Sequence, residues 1–115
     1  MAELTVYEKP TCTTCRRLSA LLAERGIEAD RVDYHVTGLS EDEIRDLLAK
    51  ANAGPRDVLR TREPAHAEHV AGRDLSDDEL IAVMARHPEL VQRPIVVRGD
   101  RAVLARPVER VLELL

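Results

Sequence analysis

Apolar positions in this chain change spacing several times, and each change marks an element. Leu4-Thr5-Val6-Tyr7 is short, apolar and β-branched, which predicts a strand. From Arg16 to Arg25 the spacing becomes helical: Leu18, Leu21 and Leu22 share one face and Gly26 follows as a stop. Arg31-Val32-Asp33-Tyr34 predicts a weaker second strand. Ser40-Glu41-Asp42-Glu43 has the form of a capping box and opens a helix with Ile44, Leu47, Leu48 and Ala51 on one face. Asn52-Ala53-Gly54-Pro55 ends it.

Residues 55–75 are the least patterned. Arg56 to Leu59 fits one helical turn, and polar sequence with His66 and His69 follows. Ser76-Asp77-Asp78-Glu79 is a second capping box, starting a helix through Leu80, Ile81, Val83, Met84 and His87; Pro88 begins a further turn. Arg93-Pro94-Ile95-Val96-Val97 predicts a strand, and Gly99-Asp100 a hairpin turn into Ala102-Val103-Leu104. Arg106-Pro107 then opens a last helix with Pro107 in its first position and Val108, Val111, Leu112 and Leu115 facing inward. The order βαβ, helices, ββα predicts an α/β protein of thioredoxin-like layout, with a helical segment, about 40–90, inserted between its halves.

A chain of 115 residues is sized for one domain spanning 1–115. Aromatics make up 2%, so Leu, Val, Ile and Ala must build the core. The net charge of -4 provides no footprint for nucleic acid or an acidic membrane. Neither a signal peptide nor an apolar run long enough for a membrane span is read, and a cytoplasmic location is expected. Lys9 and Lys50 are the only lysines, so arginine is this chain's usual cation.

The only two cysteines, Cys12 and Cys15, stand as Cys-x-x-Cys between the first strand and the first helix. In an intracellular chain that spacing points to redox or thiolate chemistry more than to a structural disulfide. A thiol at a helix start meets unpaired N–H groups and the positive end of the dipole, and Arg16 and Arg17 are near in sequence; all favour the thiolate. Cys15 is within reach to attack an adduct formed at Cys12. Inert cysteines are the plain alternative. A zinc site of Cys12, Cys15, His66 and His69 is the other, but the interval between the pairs exceeds that of a compact finger, and no metal is expected. His35 and His87 read as capping or surface residues.

Tyr7-x-x-Pro10-x-Cys12-x-x-x-Arg16, Leu59-Arg60-Thr61-x-Glu63-Pro64, His87-Pro88-x-Leu90-x-x-Arg93-Pro94-Ile95-Val96-Val97 and Arg106-Pro107 together resemble the glutaredoxin-coupled arsenate reductases and their relatives, including the Spx-type regulators. The resemblance runs nearly end to end. It implies a thioredoxin-like fold, Cys12 as nucleophile, Arg60, Arg93 and Arg106 around an arsenate oxyanion, and a cis-proline, Pro94, beside the cysteine. Arg16 is a supporting residue. The partners implied are arsenate, a thiol electron donor (glutathione or a similar small thiol, or Cys15) and a glutaredoxin or thioredoxin, with no bound cofactor.

The chain departs from the best-known reductases at two places. Glu8 stands where they carry His, and an acid beside the nucleophile would raise its pKa; Cys15 stands where they carry Ser. Cys-x-x-Cys is the feature shared with the Spx regulators, which bind RNA polymerase, whereas Arg106-Pro107 is reductase-like. The function expected is arsenate reductase-like thiol oxidoreduction. The alternatives are a redox-sensing regulator, or a small thiol reductase acting on another substrate.

Overall fold

The computed structural model describes residues 3–115, which form two compact units. One comprises the chain to Thr37 together with Arg93–Leu115; the other is Gly38–Gln92.

The first unit is built on a four-stranded mixed sheet of β1 (Leu4–Glu8), β2 (Ala29–Asp33), β3 (Ile95–Arg98) and β4 (Arg101–Leu104), in the order β2-β1-β3-β4. β1 and β2 run parallel, joined through helix α1 (Thr13–Glu24); β1–β3 and β3–β4 are antiparallel. The βαβ half followed by a β-hairpin is the thioredoxin-like arrangement. A short helix, α2 (Tyr34–Thr37), takes Tyr34 out of the strand expected for it. β2 carries no clean apolar alternation and pairs with β1 alone, which is why its limits were poorly marked.

Burial in β1 alternates, so Leu4, Val6 and Glu8 point the same way. Leu4 and Val6 pack with Leu18 and Leu22 of α1, Val96, Val103, Val111 and Leu114 into one core. Glu8 inherits that inward parity and is 5% exposed. Gly99 turns the hairpin with φ +60°, a conformation that side chains with a Cβ seldom adopt.

The C-terminal segment corrects the sequence expectation. Val108–Leu114 is a 3₁₀ helix, preceded by Pro107 in extended backbone rather than begun by it, and the Arg106–Pro107 bond is cis. With three residues per turn the inward positions fall at intervals of three. Val111 and Leu114 are buried, whereas Leu112 and Leu115, expected inside on α-helical spacing, are exposed.

In the second unit, α3 (Glu41–Ala51) and α5 (Asp77–Arg86) pack together, and Ile44, Leu47, Leu80, Ile81 and Met84 are buried. Both capping boxes are formed: Ser40 and Ser76 each accept from the N3 amide at 3.1 Å, while Glu43 and Glu79 accept in return. Such a cap contributes about 1 kcal/mol. Between them lie a 3₁₀ turn at Pro55–Val58 and a helix the apolar pattern does not announce, α4 (Pro64–His69), which has no buried residue; a second 3₁₀ turn, Pro88–Leu90, follows α5.

The 3₁₀ phase has a direct test. Leu114→Ala should lower stability by about 2–5 kcal/mol, and Leu112→Ala by well under half as much, read from urea midpoints. An α-helical segment would give a large loss at Leu112 instead.

Candidate active site

α1 begins three residues earlier than its apolar face suggests. Cys12 therefore sits at the N-cap position, with φ -73° and ψ 129°. Its N–H donates to the Lys9 carbonyl at 2.9 Å, closing a tight turn, and its carbonyl takes the first helical bond from Arg16 N at 3.0 Å. Cys15, at N3, lies on the buried face with Leu18 and Leu22 and is 1% exposed, while Cys12 stays partly accessible. Both thiols are free.

The two cysteines are driven in opposite directions. Partial burial of Cys12 disfavours the thiolate, but the Cys15 N–H, the Cys15 thiol and the Arg93 guanidinium outweigh it and bring its pKa down to about 7. Burial pushes the Cys15 thiol up to about 12; the Lys9 N–H works against this, and the charges of Cys12 and Glu8 add to it. The acid at position 8, expected to act on the nucleophile, thus bears on the second cysteine.

Arg93 immediately precedes β3 and is 7% exposed. Burial alone would disfavour its charge, yet hydrogen bonds and charge from Tyr34 and Cys12 raise its pKa. Its Nε and Nη1 are buried and find no hydrogen-bond partner among the described residues. Buried donors are normally satisfied, so two orphaned guanidinium nitrogens beside a thiolate suit an oxygen-rich anion. Tyr34, wholly buried at the start of α2, completes this corner. Its role was not read from the sequence; being one of only two aromatics in the chain was the available signal.

Pro94 is buried and follows a cis bond, Arg93–Pro94, and its carbonyl accepts from Ala105 N at 2.9 Å. Arg106 donates from Nε to the Arg93 carbonyl at 2.7 Å, which ties the two arginines together. With Thr14 and Arg17, Arg106 also lines an open groove along α1. Arg16 is exposed on α1, and the cation that meets the Cys12 sulfur is Arg93.

Arg60 belongs to the second unit. It follows the Leu59–Val91 bridge, donates from its N–H to Leu90 O at 2.7 Å, and engages Glu63 Oε1 at 3.1 Å and Gln92 Oε1 at 3.2 Å through its side chain. His66 and His69 lie on α4, and His69 stacks on His87 with ring centroids 4.2 Å apart. Among the described residues no group of three or more His, Cys, Asp or Glu could hold a metal ion. No helix there is long and apolar enough to cross a membrane.

A thioredoxin-like sheet with a cysteine at the start of its first helix and a cis-proline before its third strand defines a thiol-based site. Comparison with known proteins makes the class specific. A sequence model of the ArsC family matches residues 7–114, and the chain belongs to that family. It is 37% identical to an arsenate reductase of Escherichia coli across its whole length, covering 82% of that protein. It is 35% identical to the uncharacterized protein YfgD of E. coli strain K12, over 97% of this chain and 96% of the relative. The solved structure of an arsenate reductase from Vibrio cholerae superposes with a TM-score of 0.93 at 37% identity, covering 99% of this chain and 98% of that one.

Alkylation of Cys12 by iodoacetamide should follow a titration with its midpoint near pH 7, reactivity rising as pH passes upward through it. Arg93→Ala removes a cation from the thiolate and should move the midpoint up. Mass mapping should find Cys15 unmodified in the native chain. A midpoint at the ordinary cysteine value in the unaltered chain would contradict the arrangement.

Proposed function

We propose that this protein is a thiol-dependent arsenate reductase working through Cys12. The observation that carries the proposal is Arg93: buried, adjacent to the Cys12 sulfur, and with two guanidinium nitrogens lacking a partner among the described residues. A planar guanidinium suits bidentate contact with a tetrahedral oxyanion. The family supports arsenate as that oxyanion, because relatives that match over the full chain carry the name arsenate reductase.

In the proposed reaction arsenate binds at Arg93 and Arg106. The Cys12 thiolate attacks arsenic and water leaves, giving a sulfur–arsenic(V) adduct. A second thiol, Cys15 or a small thiol such as glutathione, then attacks the Cys12 sulfur. The electron pair of the sulfur–arsenic bond passes to arsenic, and arsenite departs. A glutaredoxin or thioredoxin returns the oxidised cysteine to the thiol. The motif Leu59-Arg60-Thr61-x-Glu63-Pro64 belongs to the family resemblance, and the effect of Arg60 on turnover is tested separately by Arg60→Ala. None of the relatives named above carries the name of a transcription regulator, so the Spx-type reading gains nothing from them.

Arsenate turnover coupled to thiol oxidation tests the proposal. Cys12→Ser should abolish it, and Arg93→Ala should lower kcat/KM by about 10²–10³-fold, as loss of an oxyanion donor does. Arsenate at about 100 times its Kd should stabilise the native chain by about 2.7 kcal/mol. No turnover with any thiol donor, and no thermal shift with arsenate or phosphate, would remove arsenate as the substrate.

A further inference from the structure

Apart from Arg106, the residues that line the open groove beside α1 have no part in the reaction outlined above. One wall is a stripe of α1: Thr14, Arg17, Leu21 and Glu24 follow at the three- and four-residue intervals that share a helix face. The other wall is the chain leading into the 3₁₀ helix, from Arg106 to Glu109. Pro107 is extended there, and Val111 and Leu114 turn into the core only further on. The space between the walls is about 580 Å³, the size of a small-molecule site.

The charges of the groove are sorted along its length. Arg17 lies in the half of α1 nearer Cys12, and Arg106 is bound through Nε to the Arg93 carbonyl. Glu24 is the last residue of α1, seven positions past Arg17 and so about 10 Å further along the axis. Glu109 adds a second carboxylate from the opposite wall. Arg17, Glu24 and Glu109 are exposed, and none of them forms an ion pair among the described residues. Ala20 and Leu21 lie between Arg17 and Glu24 and give the trough an apolar middle. Such a trough complements an extended ligand with a carboxylate at one end and an ammonium at the other. At about 3.5 Å per residue, the span of about 10 Å corresponds to two or three residues.

We infer that this groove docks the thiol that attacks the Cys12 adduct, and that Arg17, Glu24 and Glu109 select a zwitterionic thiol of two or three residues. The inference rests on the proposed reading in which a small thiol is the second thiol. Access favours it over Cys15: Cys15 is buried on the core face of α1, whereas the groove is open and starts at Thr14, two residues from Cys12. In the step, the S–H bond of the docked thiol breaks and its sulfur attacks Cys12 Sγ. The Cys12 sulfur–arsenic bond breaks, and its electron pair reduces arsenic(V) to arsenic(III). The departing arsenite takes up the proton. The two sulfurs lose two electrons in all and remain as a mixed disulfide on Cys12, which the external dithiol of the reaction above returns to the thiol.

S-methylglutathione tests the site without arsenate, because it keeps the charges of a peptide thiol and cannot react. Calorimetry compares it with its N-acetyl derivative, which lacks the ammonium, and with its dimethyl ester, which lacks the carboxylates. The unaltered chain should bind it more tightly than either derivative, by about two- to fivefold, the worth of an exposed ion pair. Glu24→Gln combined with Glu109→Gln should erase the preference over the N-acetyl form and keep the preference over the ester. Arg17→Glu should do the reverse. In arsenate turnover with glutathione as donor, Arg17→Glu should raise the KM for glutathione about tenfold, since an attraction is lost and a repulsion added. Its kcat and its KM for arsenate should stay within about twofold, the pattern of lost uniform binding.

Equal binding of the three probes, or binding of none, would overturn the inference; that comparison uses the unaltered chain and decides even if a variant does not fold. Preferences that persist unchanged in the variants would overturn the roles of Arg17, Glu24 and Glu109. Turnover that depends on a glutaredoxin or thioredoxin and on no small thiol would also overturn it, with a protein as the second thiol's carrier. Absence of arsenate turnover with the probe preferences intact would remove the arsenate reading and still support the groove as a zwitterionic thiol site.

Discussion

A guanidinium removed from water beside a thiolate is the constraint on which the site depends. Burying either charge alone is expensive, and together they offset much of that cost, provided the remaining donors are also met. Arg93 meets Cys12 and Tyr34 on one side and leaves Nε and Nη1 without partners among the described residues. Its carbonyl also accepts from Arg106 Nε, so the same buried residue holds a second guanidinium in place. The strand order makes this possible. β3 lies next to β1, which places the residues entering β3 beside the loop leaving β1.

The two thiols differ because a helix start is asymmetric. The N-cap residue meets open amides and partial solvent, whereas the residue three positions on turns into the core. Environments that push two like groups apart commonly mark a division of labour. Here they set a poised, accessible Cys12 against a protonated, enclosed Cys15. That division fits an attacking thiol followed by a resolving one better than two equivalent thiols. It also explains why Glu8 can be tolerated in a site built to stabilise an anion: its charge falls on Cys15, and Arg31 pairs with it.

Strong local patterns were legible directly. Both capping boxes, β1, the hairpin at Gly99-Asp100 and the helix after the cysteines follow from residue spacing and turn chemistry, because each is decided within a few neighbouring residues. Two features were not. α4 has no buried residue and so no apolar period to reveal it. The C-terminal segment carries apolar residues at both three- and four-residue intervals, and packing against α1, β3 and β4 selects the three-residue phase. Propensity alone does not separate those phases; the shape of the surface underneath does.

Sequence alone determined the thioredoxin-like α/β order, the family motifs and the position of Cys12 at a helix start, since these rest on periodicity, capping and spacing along the chain. It also showed that Glu8 and Cys15 depart from the familiar reductase pattern. Tertiary structure decided what the departures mean. Which charge reaches which sulfur depends on strand neighbours and inward parity, and these join residues 8, 31 and 93 that are far apart in the chain. Only the folded sheet brings Arg93 to Cys12, lets the Glu8 charge bear on Cys15, and sets Tyr34 beside the arginine.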